Sequence, residues 1–118
     1  MMRQIARLHI RALPQTWSSR RGERFVEYLY KSVQRVGYVK WIKREGKTVG
    51  AVSGVGQLIL TLVVSPEWQR RGVGREIIRG LPGRRYVYTE EASRGFYEKM
   101  GFSKIIQMGK IIFLCRKS

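Results

Sequence analysis

The stretch of this 118-residue chain with the most chemical potential is a loop that contains two glycines and several arginines. The apolar run Leu58–Val64 precedes the loop, and Gly72 and Gly74 lie two positions apart inside it. An apolar run of this length predicts a buried strand, and residues 76–78 predict the start of a helix. Glycines let a backbone approach a ligand closely, and a helix N-terminus favours anions. The loop therefore predicts a site for a diphosphate group.

The arginines of this loop favour anion binding over an ordinary strand-to-helix turn. Arg70, Arg71 and Arg75 lie within six positions of one another, and a solvated turn has no need of three. The loop is neither of two familiar nucleotide-binding loops. It lacks the lysine followed by Ser or Thr of the Walker motif, and it lacks the third glycine of the dinucleotide fingerprint.

The loop resembles the acyl-coenzyme A motif of the GCN5-related N-acetyltransferase (GNAT) family. That motif is Gln or Arg, any two residues, Gly, any residue, and then Gly or Ala, and residues 69–74 match it throughout. The segment 64–68, which reads Val-x-Pro-Glu-aromatic, and the block 96–102 are also typical of the family. Residues 5–30 resemble the opening helices of many members, so the resemblance covers nearly the whole chain.

The resemblance implies that acetyl-coenzyme A is the co-substrate and that the chain is an N-acetyltransferase. A primary amine would attack the thioester directly. The pantetheine arm would lie along the long strand and the diphosphate on the loop. The residues expected to bind the coenzyme are therefore Leu62, Val63, Val64, Gln69, Arg70, Arg71, Gly72, Val73, Gly74 and Arg75.

Two residues are expected to act in catalysis. Tyr97 matches the family tyrosine near the coenzyme sulfur, where a phenol can protonate the leaving thiolate; the alternative is that it only packs in the core. Where some relatives carry a glutamate base, this chain has Leu58, which cannot accept a proton. Glu90 is the best remaining candidate for the base, with Glu91 and water as competitors. A solvated turn position is the alternative for both glutamates.

Other catalytic arrangements have less support in the sequence. The one histidine, His9, could serve as a base, but it lies in the predicted first helix, where most such residues are structural. The chain has no aspartate and no Cys/His/Asp cluster, so no metal site and no Ser-His-Asp triad is expected. The one cysteine, Cys115, cannot form an intrachain disulfide, which agrees with an expected cytoplasmic location.

The charge of the chain is strongly positive. Lys and Arg number 24 against 8 acidic residues, so the net charge is +16. Such a field attracts polyanions, and the amine acceptor is expected on an acidic or polyanionic molecule unless the charge serves solubility alone. A basic nucleic-acid-binding module is a second reading, although no recognised nucleic-acid motif is present. A family member that binds the coenzyme without turnover is a third.

The sequence pattern predicts one α/β domain that spans residues 1–118. The resemblance implies a mixed, mostly antiparallel central sheet flanked by helices, without the first strand of the family. The open edge would be shorter, or would be covered by a partner such as a second copy. No apolar run approaches the roughly 20 residues of a membrane-spanning helix, so no membrane is expected. Helices are predicted at 3–13, 22–36, 75–79 and 93–99, and strands at 38–43, 48–53, 58–64, 85–89, 103–108 and 111–116.

Overall fold

The computed structural model describes residues 1–117 and confirms the predicted order of helices and strands. Single turns of 3-10 helix occur at Ser19–Arg21 and Pro66–Trp68. No helix in the described residues is long and apolar enough to cross a bilayer. The elements are α1 (Met2–Ala12), α2 (Glu23–Val36), β1 (Tyr38–Arg44), β2 (Lys47–Val55), β3 (Leu58–Val64), α3 (Val73–Arg79), β4 (Arg85–Glu90), α4 (Glu91–Lys99), β5 (Ser103–Met108) and β6 (Ile111–Arg116).

The six strands form one sheet in the order β1-β2-β3-β4-β6-β5. Four of the five neighbouring pairs are antiparallel, and only β3 and β4 run parallel. The fold class predicted from the sequence, a mixed and mostly antiparallel sheet flanked by helices, is therefore confirmed. In residues 1–117 the first element is α1, so no strand precedes the helices.

Helices cover both faces of the sheet. Neighbouring residues of a strand point to opposite faces, so they join different buried clusters. On β2, Ala51 belongs to one buried cluster and Val52 to another. The first cluster packs α1 and α2, through Ile5 and Val26, against β1, β2 and β3. The second packs α3 and α4 against the other face, where Val87 of β4 is buried. Each face of the central strands is thus fixed by its own pair of helices.

The parallel pair β3 and β4 stays together over a short distance only. Leu58 pairs with Tyr86 and Ile59 with Val87, and no further pairs follow. Beyond Ile59, β3 keeps β2 as its partner on one edge up to Val64, while the edge toward β4 is left open. The sheet therefore splits in its middle, at the C-terminal half of β3.

Two helix starts differ from the prediction by two residues, and the other two by one. The helix expected at Ser93 begins at Glu91, directly after β4, with Glu90 as its N-cap residue. Ser93 forms no cap because the chain passes from strand to helix without a loop. The helix expected at Arg75 begins at Val73, because Gly72 adopts the left-handed conformation, with φ of 84°, and ends the loop there.

A buried arginine fixes the segment that follows α3. Arg116 at the end of β6 is buried, and its guanidinium donates hydrogen bonds to the carbonyls of Ile78 at 3.0 Å, of Gly83 at 3.0 Å and of Leu81. The same group lies 5.7 Å from the centre of the Phe102 ring. One side chain therefore joins the last strand to the C-terminal end of α3.

Replacing this arginine is expected to destabilise the fold. In Arg116→Met, three carbonyls lose a charged donor, and the free energy of unfolding should fall by about 2–3 kcal/mol. Urea denaturation followed by circular dichroism measures the change. Arg79→Met, at an exposed position near the end of α3, is the control and should change stability by less than about 0.5 kcal/mol. Equal effects of the two substitutions would contradict the bridging role of Arg116.

Candidate functional site

The largest feature at the split in the sheet is a cleft of about 710 Å³. We call it the sheet cleft. The end of β3 forms one wall, the loop before α3 forms a second, and α4 forms a third, with Ala12 and Leu13 at the end of α1 closing it. The lining comprises residues 62–64, 68–70 and 72–75 with Ser93, Phe96, Tyr97 and Lys99. Nine of the ten predicted coenzyme-binding residues therefore lie around one opening.

The loop offers unpaired backbone donors to the sheet cleft. The N–H of Glu76 donates to the carbonyl of Gly72 at 3.0 Å, but within residues 1–117 the N–H groups of residues 72–75 donate to no backbone carbonyl. The first amides of a helix lack partners inside it and bind water or a ligand. With seven residues, α3 is short, so these local amides matter more here than a helix dipole. The residues present therefore fit an anionic ligand.

The structure requires glycine at the two positions of the loop for different reasons. Gly72 is needed for its left-handed backbone, and a Cβ there would meet no atom within 4 Å. A Cβ at Gly74 would lie 3.1 Å from Cζ of Phe96 and 3.7 Å from Cγ2 of Val64. At Gly74 the space that a side chain would take is thus filled by the protein. The room for close ligand approach that the spacing predicts is found at Gly72.

Some polar side chains of the loop line the sheet cleft, and others contact the loop itself. Arg70 and Arg75 line the sheet cleft, and Arg70 has a positive φ of 64°, which a non-glycine residue adopts at a cost. Arg71 does not line the cleft; its guanidinium carbon lies 4.9 Å from the centre of the Trp68 ring. Gln69 donates from Nε2 to the carbonyl of Val64 at 3.1 Å. Gln69 and Arg71 therefore contact other parts of the loop, and Arg70, Arg75 and Gln69 itself line the cleft.

An ion pair attaches the loop to α1. Glu67 accepts hydrogen bonds from Ser65 and from Arg11, at the end of α1. The Ser65 hydroxyl, the backbone amide of Glu67 and the Arg11 guanidinium together lower the pKa of the Glu67 carboxyl to about 2. Glu67 is therefore ionised at neutral pH. This contact brings the end of α1, with Ala12 and Leu13, to the cleft.

Tyr97 is both a core residue and a cleft-lining residue. Its side chain is 8% exposed, and its ring packs edge-on against Phe96 at 5.1 Å and Phe102 at 5.5 Å between ring centres. It also lines the sheet cleft. Burial raises the pKa of Tyr97 to about 12, so the phenol stays protonated at neutral pH. A protonated phenol at the wall of a cleft can donate a proton to a leaving group.

Glu90 lies away from Tyr97. Together with Glu91, Gln107 and Lys110 it lines a different cavity, of about 360 Å³, and neither glutamate lines the sheet cleft. The structure thus does not bring the two predicted catalytic residues to one opening. The sheet cleft has no carboxylate and no histidine in its lining. No three His, Cys, Asp or Glu side chains of the described chain lie close enough to hold a metal ion.

Several cleft-lining residues were not expected from the sequence. Ser93, Phe96 and Tyr97 share one face of α4 because residues three and four apart in a helix are neighbours. This spacing could have been used to add Ser93 and Phe96 to the predicted site. Ala12 and Leu13 reach the cleft through tertiary packing, for which the sequence carries no local signal.

Comparison with known proteins places the chain among acetyltransferases. The model of the acetyltransferase (GNAT) domain family matches residues 21–104. No protein with a curated description is a significant sequence match.

Three similar solved structures share the fold at low sequence identity. Protein PH1933 of Pyrococcus horikoshii OT3 has a TM-score of 0.81 at 15% identity, covering 99% of this chain and 90% of that one. The ribosomal-protein-S18-alanine N-acetyltransferase of Escherichia coli has a TM-score of 0.75 at 18% identity, covering 98% and 86%. The PaiA N-acetyltransferase of Thermoplasma acidophilum, solved with coenzyme A, has a TM-score of 0.72 at 13% identity, covering 99% and 92%.

The left-handed conformation of Gly72 leads to a prediction about stability, in which two Gly→Ala substitutions should have opposite effects. Gly72→Ala should lower the free energy of unfolding by about 1–2 kcal/mol, because a residue with a Cβ is strained in the left-handed region. Gly95→Ala, inside α4 with no atom within 4 Å of its Cβ position, should raise it by about 0.5–1 kcal/mol. Urea denaturation measures both. A stabilising effect of Gly72→Ala would show that the loop is not held in this conformation.

Proposed function

Because the chain belongs to the GNAT acetyltransferase family, we propose that it transfers an acetyl group from acetyl-coenzyme A to a primary amine by direct attack of the amine. The observation that carries the proposal is the sheet cleft, where a loop with free amides and two arginines, an open strand edge and a buried phenol meet. Each of the three corresponds to one part of the reaction: holding the diphosphate, aligning the pantetheine arm, and protonating the thiol.

The coenzyme is proposed to bind by completing hydrogen bonds that the fold leaves open. Its pantetheine amides would pair with the free edge of β3 at residues 62–64, in the manner of an added strand. Its diphosphate would accept hydrogen bonds from the amides of residues 72–75, with Arg70 and Arg75 supplying positive charge. When bound, acetyl-coenzyme A supplies the activated acetyl thioester. Arg71 would act indirectly, by supporting Trp68 in the loop.

Tyr97 is proposed as the acid of the reaction. Its hydroxyl would donate a proton to the sulfur as the carbon–sulfur bond breaks, so that a neutral thiol leaves instead of a thiolate. Its pKa of about 12 keeps the proton on the phenol until the sulfur takes up negative charge. A backbone N–H on the open edge of β3, with that of Val64 as the first candidate, would polarise the thioester carbonyl.

The positive charge of the chain supports an acceptor carried by an acidic or polyanionic molecule. The net charge is +16, and a field of this sign raises the encounter rate with negatively charged partners. The amine itself must enter as the free base, because an ammonium group has no lone pair with which to attack. Glu90 lies outside the sheet cleft, so its position does not support a base role. That role stays a prediction.

The proposal is tested by following thiol release from acetyl-coenzyme A with a panel of primary amines. In Tyr97→Phe, turnover should fall by about 10²–10⁴-fold, while calorimetry should find coenzyme affinity close to that of the parent. Tyr28→Phe, at a tyrosine 66% exposed on α2, is the matched control and should keep full turnover.

Three outcomes would count against the proposal. Full turnover of Tyr97→Phe, under conditions where chemistry limits the rate, would remove the acid role. Coenzyme binding by the parent without acetylation of any amine in the panel would favour a binding protein without turnover. A parent that does not bind the coenzyme at all would leave the basic nucleic-acid-binding reading.

A further inference from the structure

A second cavity lies on the α1 and α2 side of the sheet and is built around the one histidine. We call it the His9 cavity; its volume is about 210 Å³. Besides Tyr88, five polar side chains line it, those of His9, Ser18, Tyr30, Ser53 and Thr61. The rest of the lining is aliphatic side chains of α2 and β3, together with Tyr88 of β4. Tyr88 is 42% exposed, so the cavity has a side that reaches solvent.

The polar side chains form one continuous chain of hydrogen bonds. His9 Nε2 lies 3.1 Å from the Ser18 hydroxyl, and His9 Nδ1 lies 2.8 Å from the Tyr30 hydroxyl. The Tyr30 hydroxyl lies 3.1 Å from Oγ1 of Thr61, which in turn lies 2.5 Å from Oγ of Ser53. The chain thus runs from α1 through α2 to the strands β3 and β2.

This chain can carry a proton because every partner of the imidazole is a hydroxyl. A hydroxyl can either donate or accept a hydrogen bond. With a neutral ring, one hydroxyl donates to the unprotonated nitrogen. When the ring gains a proton, both ring N–H groups donate, and the hydroxyls turn to donate onward along the chain. Both protonation states of His9 are therefore satisfied without movement of heavy atoms.

The surroundings keep His9 neutral and ready to accept a proton. Burial lowers the pKa of His9 below its ordinary value. The titratable groups that face it are Tyr30 from α2 and, across the cavity, Tyr88 from β4; the lining contains no carboxylate, lysine or arginine. Burial also raises the pKa of Tyr30 to about 12, so this tyrosine is a neutral phenol that can pass a proton on.

The His9 cavity and the sheet cleft meet at the same strand. Leu60 and Thr61 line the cavity, and the next residues of β3, 62–64, line the cleft. The register between β2 and β3 shifts at this point, because Ser53 pairs with Thr61 but Gly54 pairs with Ile59. The cavity therefore approaches the place where β3 and β4 separate, from the face opposite α3 and α4.

We propose that the His9 cavity binds the amine-bearing end of the acceptor and that His9 receives the proton of the amine through the Tyr30 hydroxyl. This inference rests on the proposed function. It supplies a proton acceptor, which the lining of the sheet cleft lacks.

The proton balance of the transfer closes with these residues. The amine lone pair forms the new carbon–nitrogen bond, and the carbon–sulfur bond breaks with its electron pair on sulfur. The nitrogen, positive after attack, loses a proton to the Tyr30 oxygen as Tyr30 gives its own proton to Nδ1 of His9. Tyr97 gives a proton to the sulfur. Solvent then takes the proton from His9 and returns one to Tyr97, so the products are the amide and the thiol.

The lining also indicates the class of acceptor. A charge-free cavity disfavours an ammonium group and favours the free base, because desolvation penalises the charged form. An apolar cavity of about 150 Å³ can hold a benzene molecule, so the His9 cavity has room for a ring-sized group. The expected acceptor carries its primary amine on an uncharged, apolar segment. The acidic groups expected from the charge of the chain would lie further from the amine.

The first arm of the test is NMR of the full chain, whose one imidazole gives unambiguous signals. The probe is 2-phenylethylamine at pH 9, with spermidine at equal concentration as the charged comparison. The aromatic amine should shift the His9 ring signals in a saturable way, and spermidine should not. In Leu60→Trp, which fills the cavity, the shift should be lost. No saturable shift in the parent would overturn the proposed binding cavity.

The second arm is the pH dependence of kcat/KM with acetyl-coenzyme A and 2-phenylethylamine. In the parent, kcat/KM should fall with pH because the free-base fraction of the amine falls, and a steeper limb should begin below the His9 pKa measured by NMR, because protonated His9 accepts nothing. His9→Gln should lose this limb, and its rate should fall about 10²-fold; Tyr30→Phe should also lose it. Ile5→Val, a fully buried change in α1, should lower the thermal midpoint but keep the limb.

The outcomes of the second arm separate a proton acceptor from a structural histidine. A His9→Gln protein with a lowered thermal midpoint but an unchanged pH limb and rate would overturn the proton role. A parent that acetylates no amine would fail the proposed function and, with it, this proton role. The NMR shift would still decide, in that case, whether the cavity binds an amine beside His9.

Discussion

The divergence of β3 from β4 is the constraint on which the rest of the structure depends. Buried backbone N–H and C=O groups require partners, yet β3 beyond Ile59 is paired on one edge only. A strand in the middle of a sheet, open on one edge, is costly unless water or a ligand completes it. The functional reading of the molecule follows from this gap, since both the sheet cleft and the His9 cavity border it.

The fold keeps the gap open by fixing each side separately. On one face α1 and α2 pack on β1, β2 and β3, and on the other α3 packs mainly on β2 and β3 while α4 packs on β4 and β6. The ion pair of Arg11 with Glu67 ties the loop to α1, and Arg116 ties the end of α3 to β6. These contacts join the elements that surround the space left unfilled by the strands.

The sequence predicted the parts of the site that are local in the chain. The apolar run Leu58–Val64 gave a strand with correct bounds, and the spacing of Gly72 and Gly74 placed the loop before a helix. The family resemblance added Tyr97, which lines the same cleft. Such features depend on residues a few positions apart, so local propensity and motif spacing are enough to find them.

Contacts between distant segments could not be predicted in this way. A structural role was favoured over a base role for His9. Its partners come from α2, through Tyr30, and from the loop before it, through Ser18. The role of Gly74 depends on Phe96, which a Cβ would touch. Glu90 was expected to act with Tyr97, but it lines a different cavity. Tertiary packing decides which cavity a side chain at the start of a helix lines, and the sequence carries no local signal for it.

The central claim is that the coenzyme completes the open edge of β3 and the free amides of the loop. Hydrogen exchange with and without saturating coenzyme A tests it directly. Exchange should slow at residues 62–64 and 72–75 and stay unchanged in the turn between β1 and β2, which lies outside the cleft. No added protection at residues 62–64 and 72–75, or protection confined to residues outside the sheet cleft, would contradict the account.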